Sequence, residues 1–251
     1  MVQRLATIRI GTSGWHYKHR VGTFYPPRTA GSKMLAYYTE KFDTVELNNS
    51  FYHLPKKTSL ESWRDSTPTG FCFAAKGSRF LTHMKKLKDP EQGLNKFLEA
   101  IEVLEHKLGP ILFQLPPNWE LDLERLANFV SFLPREHRYA FEFRNASWSV
   151  PETYDLLARH NIAYCIFHLA GIHSPIQVTA DFTYVRLHGP GGKYQGSYSD
   201  ADLGEWAKRI GKWRRELKTI YIYFDNDQAG YAAQNALSLK ELVGLPVDAS
   251  G

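Results

Sequence analysis

Three pairs of polar residues stand two apart at the ends of apolar runs: Glu46 and Asn48 in Thr44-Val-Glu-Leu-Asn48, Glu142 and Arg144 in Tyr139-Ala-Phe-Glu-Phe-Arg144, and Arg186 and His188 in Tyr184-Val-Arg-Leu-His188. A strand sends alternate side chains to opposite faces. Each pair therefore shares one face, while Val45, Leu47, Phe141, Phe143, Val185 and Leu187 take the other. The same parity brings Lys76, Gln114, His168 and Asp225 to the ends of other apolar runs. A carboxylate can take or give a proton with an imidazole or amine as its partner. A guanidinium can grip phosphate or carboxylate through two parallel hydrogen bonds. On this reading Glu142 is a general base or acid, His188 or Lys76 is its partner, and Arg144 and Arg186 hold an anion. Glu46, Asn48, Gln114 and Asp225 orient the substrate and the catalytic side chains.

A second account of the same residues must be weighed. Three acids (Glu46, Glu142, Asp225) against three bases (Lys76, Arg144, Arg186) could neutralise one another as a buried ionic plug. Taking a charge out of water costs several kcal/mol per ion, so a polar plug is an expensive way to close a core. Clustering at one end of the strands fits a site better.

The elements that would position these groups follow from periodicity. Strands are expected at Thr7–Thr12, Thr44–Asn48, Phe71–Lys76, Ile111–Leu115, from Tyr139, Ile162–His168, Phe182–His188 and Ile220–Asn226. Helical spacing marks a segment capped by Ser32 and running to Phe42, then Lys57–Asp65, Glu91–Leu108 (stopped by Gly109-Pro110), Leu121–Leu133, Pro151–His160, Leu203–Leu217 and Gln228–Leu242, with a frayed tail beyond. Leu169–Asp181 shows no helical period. Repeated alternation of strand and helix implies a parallel sheet. Eight strands in 251 residues favour a TIM-type α/β barrel of eight parallel strands, one domain with its core between about 7 and 243. No G-x-G-x-x-G follows the first strand, as a dinucleotide site requires. The site then belongs at the C-terminal mouth of the barrel, and Cys72, Ala74 and Leu112 fill its lower layers.

Loops supply further candidates. The stretch Ser13–Gly31 carries Trp15, Tyr17, Phe24 and Tyr25, and is either a binding loop or a set of aromatics folded into the mouth. Trp15 and Tyr25, with Tyr52 and His83 from the next two exits, are candidate substrate contacts. Gly191 and Gly192 could cradle an oxyanion on backbone N–H groups, beside Lys193, Tyr194 and the Asp225-Asn226-Asp227 turn, at the corner where such barrels bind phosphate. A flexible turn explains the glycines equally well. Glu46, Glu142, Asp225, His168 and His188 are suitable metal-ligand types. No H-E-x-x-H or paired C-x-x-C is present, and three cations would compete for the carboxylates. A divalent metal is thus not favoured, and no cofactor is assigned. No G-x-S-x-G elbow points to a serine nucleophile.

Composition bounds the partners. A net charge of +5 and a pI near 9 give a mild pull on anions, far short of a polycationic tail. Cys72 and Cys165 lie in apolar runs and make no disulfide framework. The start Met1-Val-Gln-Arg-Leu5 lacks the apolar run of a signal peptide. No stretch approaches the roughly 18 apolar residues of a membrane span. The expectation is a reduced, cytoplasmic protein without a membrane partner; the oligomeric state is left open.

Ile10-Gly-Thr-Ser-Gly-Trp15, Phe24-Tyr-Pro26, Val45-Glu-Leu-Asn-Asn-Ser-Phe-Tyr52, Thr82-His83, Phe113-Gln-Leu-Pro-Pro117, Phe141-Glu-Phe-Arg144 with Trp148, Tyr184-Val-Arg-Leu-His-Gly189 and Tyr223-Phe-Asp-Asn-Asp227 together resemble the signature blocks of YecE-like proteins, known as domain of unknown function 72. The resemblance runs from about Ile8 to Leu242. It implies a variant eight-stranded α/β barrel and no established activity. The likeness of such barrels to apurinic endonucleases suggests nucleic-acid binding by fold analogy. This chain departs from the pattern at His19-Arg20, near where the family has a second tryptophan, and at His168, where members often carry Asp.

The leading expectation is an enzyme, a hydrolase or lyase, acting on a small anionic ligand that bears phosphate or carboxylate. The rival is a nucleic-acid-binding protein or phosphodiesterase, using Trp15, Tyr17, Tyr25, Tyr52, Tyr194 and Lys85 to Lys88 to stack bases and track a backbone. A non-catalytic scaffold is the third reading.

Overall fold

Val, Ile, Phe and Tyr, which suit a pleated surface buried on both sides, fill the eight strands of a barrel. The computed structural model describes residues 5–247. Its strands are β1 Thr7–Thr12, β2 Thr44–Leu47, β3 Cys72–Lys76, β4 Leu108–Gln114, β5 Tyr139–Glu142, β6 Ala163–Leu169, β7 Phe182–Leu187 and β8 Thr219–Phe224. They pair in parallel in the order β1-β8-β7-β6-β5-β4-β3-β2. Outside them lie α1 Gly31–Lys41, the single turn α2 Asn49–Tyr52, α3 Lys57–Ser66, α4 Pro90–Ile101, α5 Leu123–Ser131, α6 Pro151–Arg159, α7 Asp200–Glu216 and α8 Tyr231–Leu242. The expected TIM-type barrel is present. The expected absence of a signal peptide and the frayed end of the tail fall on residues 1–4 and 248–251, outside the described residues.

The ring is nearly, not fully, closed. Between β1 and β2 there is one bridge, Ser13 with Glu46, and the Gly14 N–H donates to the Glu46 carbonyl at 2.8 Å. Below it Tyr38 of α1 stands in for missing ladder bonds. Its hydroxyl donates to the Thr44 carbonyl at 2.9 Å and accepts from the Thr12 N–H at 3.0 Å. Gly11 permits the approach, because a Cβ there would lie 2.3 Å from the Thr44 oxygen.

A second irregularity lies beside β6. It pairs with β5 only at Ala163 and Tyr164. The connection 170–181 carries no helix, as its lack of helical period implied. Instead Ile172–His173 folds back antiparallel on the end of β6, and hydroxyls serve the strand's free amides. Thr179 Oγ1 accepts from Tyr164 N–H at 2.8 Å and Ser174 Oγ from Phe167 N–H at 2.9 Å. Buried amides must find partners, and here side chains provide them.

Three local expectations are corrected. Ser32 is not a cap: α1 starts at Gly31 after Ala30, with no capping side chain. Gly109-Pro110 does not stop a helix, since α4 ends at Ile101, a 3₁₀ segment covers Glu102–Lys107, and both residues lie within β4. Proline has no N–H for a ladder, and the β3–β4 register shifts at that point to accommodate it. The fifth strand ends at Glu142, and Ala146–Trp148 forms a 3₁₀ turn. Arg144 therefore sits just past its strand.

The barrel interior divides by height. Cys72, Ala74, Leu112, Ala140, Ala163, Cys165, Phe182, Tyr184, Tyr221 and Tyr223 fill it as one apolar cluster, including the three residues assigned to the lower layers. Both cysteines are free and buried. The ionisable groups lie above, at the C-terminal ends.

Candidate functional site

Strand parity carries Glu46, Glu142 and Arg186 inward from β2, β5 and β7, and none of the three is exposed by more than 1%. Arg186 faces Glu46 with its fork: Nε donates to Oε2 at 2.9 Å and Nη2 to Oε1 at 2.8 Å. Its Nη1 donates to Glu142 Oε2 at 2.8 Å. Glu46 also accepts from the Tyr184 hydroxyl at 2.7 Å and from the Ser13 hydroxyl. Arg144 Nε donates to the other oxygen of Glu142. His188 completes the floor. Its Nδ1 lies 3.0 Å from Asp225 Oδ2, and its Nε2 lies 2.9 Å from Arg144 Nη2. A guanidinium can only donate, so Nε2 carries the lone pair and Nδ1 the proton.

This saturation corrects two assigned roles. Arg186 has no free fork for an anion, because its donors are directed to Glu46, Glu142 and Asp225. Glu142 is poorly suited to accept a proton. Burial pushes its carboxyl up, yet the charges of Arg144 and Arg186 hold it well below the usual carboxylate range. Burial also pushes Asp225 up, and the His188 hydrogen bond and the Arg186 charge hold it down.

Over this floor opens a cleft of about 500 Å³, lined among others by Asn48, Tyr52, Lys76, Lys193, Tyr194 and Asp225. Lys76, at the end of β3, is the notable member. Its ammonium lies 4.3 Å from the centre of the Phe51 ring and, among the described residues, makes no salt bridge or hydrogen bond. Burial, and then the charge of Arg186, bring it down to about 8. Asp225 contributes a carboxylate with 16% of its side chain exposed.

The remaining candidates separate into rim, support and core. Tyr52 (70% exposed) and Tyr194 (39%) stand at the rim, and Tyr194 packs edge-on against His188. Asn48 lies at the edge of the cleft, its buried Oδ1 without a partner. Gly191 and Gly192 lie in the loop above β7, which turns back at Gly189; a Cβ there would lie 2.2 Å from the Gln195 carbonyl. Asn226 is a fastener: its Nδ2 donates to Gly196 O and Asn235 Oδ1, both at 2.8 Å, tying that loop to α8. Gln114 is half-buried next to Glu142 in register but does not line the cleft. His83 packs edge-on to Phe51, and burial and the nearby Lys76 charge lower it to about 4.

Trp15 and Tyr25 are core residues rather than substrate contacts. Trp15 lies edge-on to Trp63, 4.9 Å between centroids, and Tyr25 donates its hydroxyl to the Trp15 carbonyl at 2.5 Å. Large rings in the first loop gain more by filling the seam beside α1 and α3 than by standing in water. Trp15 lines instead a separate groove of about 700 Å³ between those helices.

Reading the strands alone passed over Ser13, Tyr184, His19 and Asp227. The first two donate to Glu46, Ser13 from just past β1 and Tyr184 from β7 across the barrel interior. The others act together: Arg20 Nε donates to Asp227 at 2.9 and 3.0 Å, and His19 Nε2 lies 2.7 Å from it. At His19-Arg20, where the sequence departs from its family pattern, an ion cluster therefore ties the first loop to the last strand's exit. Tyrosine parity on β7 could have signalled Tyr184; nothing in spacing links residues 20 and 227. Among the described residues no group of three or more His, Cys, Asp or Glu side chains is arranged to hold a metal. None of the helices among the described residues is long and apolar enough to cross a membrane.

Comparison with known proteins agrees with the architecture. The model of a family described as protein of unknown function DUF72 matches residues 9–250. The chain is 28% identical over 271 residues to the UPF0759 protein YunF of Bacillus subtilis (strain 168), covering 95% of each. It is 30% identical over 116 residues to the UPF0759 protein YecE of Escherichia coli (strain K12), covering 46% of this chain and 43% of that one. The crystal structure of a DUF72 family protein from Thermotoga maritima MSB8 superposes with a TM-score of 0.87 at 30% identity, over 95% of this chain and 99% of that one. A methyltransferase from Methanosarcina mazei, at 10% identity and a TM-score of 0.54, shares the fold alone. With its barrel, its ordered motifs and a match along nearly its whole length, the chain belongs to the DUF72 family.

Proposed function

We propose that the protein is an enzyme that performs acid/base chemistry on a phosphate- or carboxylate-bearing substrate at the C-terminal mouth of the barrel. The observation that carries this reading is the contrast between a paired ionic floor and a buried lysine beside the cleft above it that, among the described residues, makes no salt bridge or hydrogen bond. An amine lowered to about 8 can both take and give a proton near neutrality. Lys76 is the proton-transfer group in this reading, and Asp225, anchored by His188, is the second polar group facing the substrate. Lys193 and the amides of the Gly191-Gly192 loop would receive the anion. Glu46, Glu142, Arg186 and His188 hold the strand ends in place rather than reacting.

A panel of sugar phosphates, phosphate monoesters and phosphodiesters, followed by phosphorus NMR, tests the activity. A hit is expected to lose roughly 100-fold or more in rate in Lys76→Met and in Asp225→Asn. Inorganic phosphate tests the binding half: it should raise the melting temperature of the native protein saturably, and raise that of Lys76→Met much less. An absence of both turnover and phosphate stabilisation would remove the reading.

The exposed rings of Tyr52 and Tyr194, flanking the cleft, support a second reading in which the substrate is a nucleic-acid strand stacked across the rim. It requires a single-stranded oligonucleotide to bind with an affinity that falls steeply with salt. A shallow slope favours the small ligand.

A further inference from the structure

Among the described residues every charged group of the floor is met by an opposite charge, and Lys76 at its edge is not. Lys76 is 9% exposed, sits at the end of a barrel strand, and has an aromatic ring for its neighbour. The other two buried lysines are held by acceptors: Lys107 Nζ donates to the Thr67 carbonyl at 2.6 Å and also to the Arg64 carbonyl, and Lys240 Nζ donates to the Lys41 carbonyl. A buried ammonium without a paired anion is costly, so burial shifts the balance toward the free amine relative to an exposed lysine. The free amine is the nucleophilic form. The main chain beneath it is pinned, since the Ser50 hydroxyl donates to the Lys76 carbonyl at 2.7 Å and the Gly77 N–H to the Leu112 carbonyl at 2.7 Å. The side chain thus rises from a fixed base into the cleft.

We infer that Lys76 is a covalent nucleophile, forming an imine with the carbonyl carbon of an anionic aldehyde or 2-oxo acid. This inference rests on the reading of the mouth as an acid/base site for anions and narrows its substrate to carbonyl compounds. The Nζ lone pair adds to the carbonyl carbon, and the C=O π pair moves to oxygen, which takes a proton. A second proton on that oxygen lets it leave as water while nitrogen gives up its N–H protons, so that amine plus carbonyl becomes imine plus water. Solvent in the open cleft carries these protons, and the Asp225 carboxylate on the same cleft can accept a hydrogen bond from the hydroxyl as it forms. Once protonated, the imine accepts the electron pair of a C–H or C–C bond broken at the adjacent carbon. The enamine so formed takes a proton at carbon, and water then adds to the regenerated iminium carbon, releasing the carbonyl product and the amine. No oxidant, reductant or metal enters the balance. The Phe51 face suits the intermediate, because an aromatic face stabilises the cationic nitrogen of a protonated imine.

The test is reductive trapping of the full-length protein with glyoxylate and cyanoborohydride at pH 7, followed by intact-mass and peptide mass spectrometry. From the lowered amine value against about 10.4 for an exposed lysine, Lys76 should be modified on the order of 100-fold faster than surface lysines. Its labelling rate should reach half-maximum near pH 8. Lys76→Met should lose the fast-forming adduct, and inorganic phosphate at the cleft should slow it in the native protein. Labelling spread evenly over surface lysines, or a fast adduct that survives Lys76→Met, overturns the inference. If phosphate still stabilises the native protein in that case, the anion site stands and only covalent chemistry is lost. If phosphate has no effect and no fast adduct forms, both fall.

Discussion

The floor and the rim of the barrel mouth are built from the same kinds of residue and do opposite things. On the floor, Glu46, Glu142, Arg186 and His188 satisfy one another almost completely. At the rim, toward solvent, Lys76, Tyr52 and Tyr194 make no salt bridge or side-chain hydrogen bond among the described residues. Depth makes the difference. A charge that is fully buried must be paired or it will not be tolerated. A group beside a water-filled cleft can stay unpaired and keep its reactivity. An ionic cluster at strand ends is therefore not in itself a catalytic centre; in the function proposed above it is the seat on which one stands.

The comparison can be broken most forcefully at its centre. Arg186→Met leaves Glu46 and Glu142 buried with their main counter-charge gone and should cost about 3–5 kcal/mol, read from urea unfolding. A variant as stable as the native protein would mean the floor is not structural.

A smaller loss is expected at the seam beside the floor. Tyr38→Phe removes the hydroxyl that bridges Thr12 and Thr44 and should cost about 1–3 kcal/mol, since it strands buried backbone groups. Hydrogen exchange at Thr12 should quicken with it.

The pH dependence sharpens the contrast further. Burial lowers His83 and His168 to about 4 in the folded chain, against 6.5 unfolded. The unfolded chain thus takes up more protons between these values, and stability should fall as pH drops from about 6.5 to about 4. Glu142 and Asp225, both lowered, add stability that is present above their unfolded values and lost as pH falls through the folded ones. Lys76 behaves in the same sense at the other end: stability should rise between about 8 and 10.5, where only the unfolded lysine is still protonated. Lys76→Met should abolish that alkaline rise. Urea midpoints across pH read all three windows, and a flat alkaline limb in the native protein would contradict the buried, unpaired amine.

The smallest effect belongs to the rim. Tyr52→Ala should change stability by about 0.5 kcal/mol or less, because the ring is largely in water. A loss of ligand or oligonucleotide affinity without a change in melting temperature would mark it as a contact made only with a partner.

Much of the scaffold was legible from periodicity. Alternating strands and helices, the missing helix before β7, and the inward parity of Glu46, Glu142 and Arg186 all follow from side-chain direction in a strand. Helix ends were less legible. Gly109-Pro110 reads as a stop signal, yet a register shift in a neighbouring strand lets a proline sit in the sheet. Trp15 and Tyr25 were misplaced because loop aromatics carry no record of which wall they will meet.

Periodicity determined which polar groups would gather at the barrel mouth, since period two is a local property of the backbone. It could not tell which of them would be spent on one another. That depended on depth and on partners far apart in the chain, such as Arg20 with Asp227 and Arg186 with Glu46. Only the closing of the ring sets those distances, and with them the line between charges that pair with one another and the amine left beside the cleft.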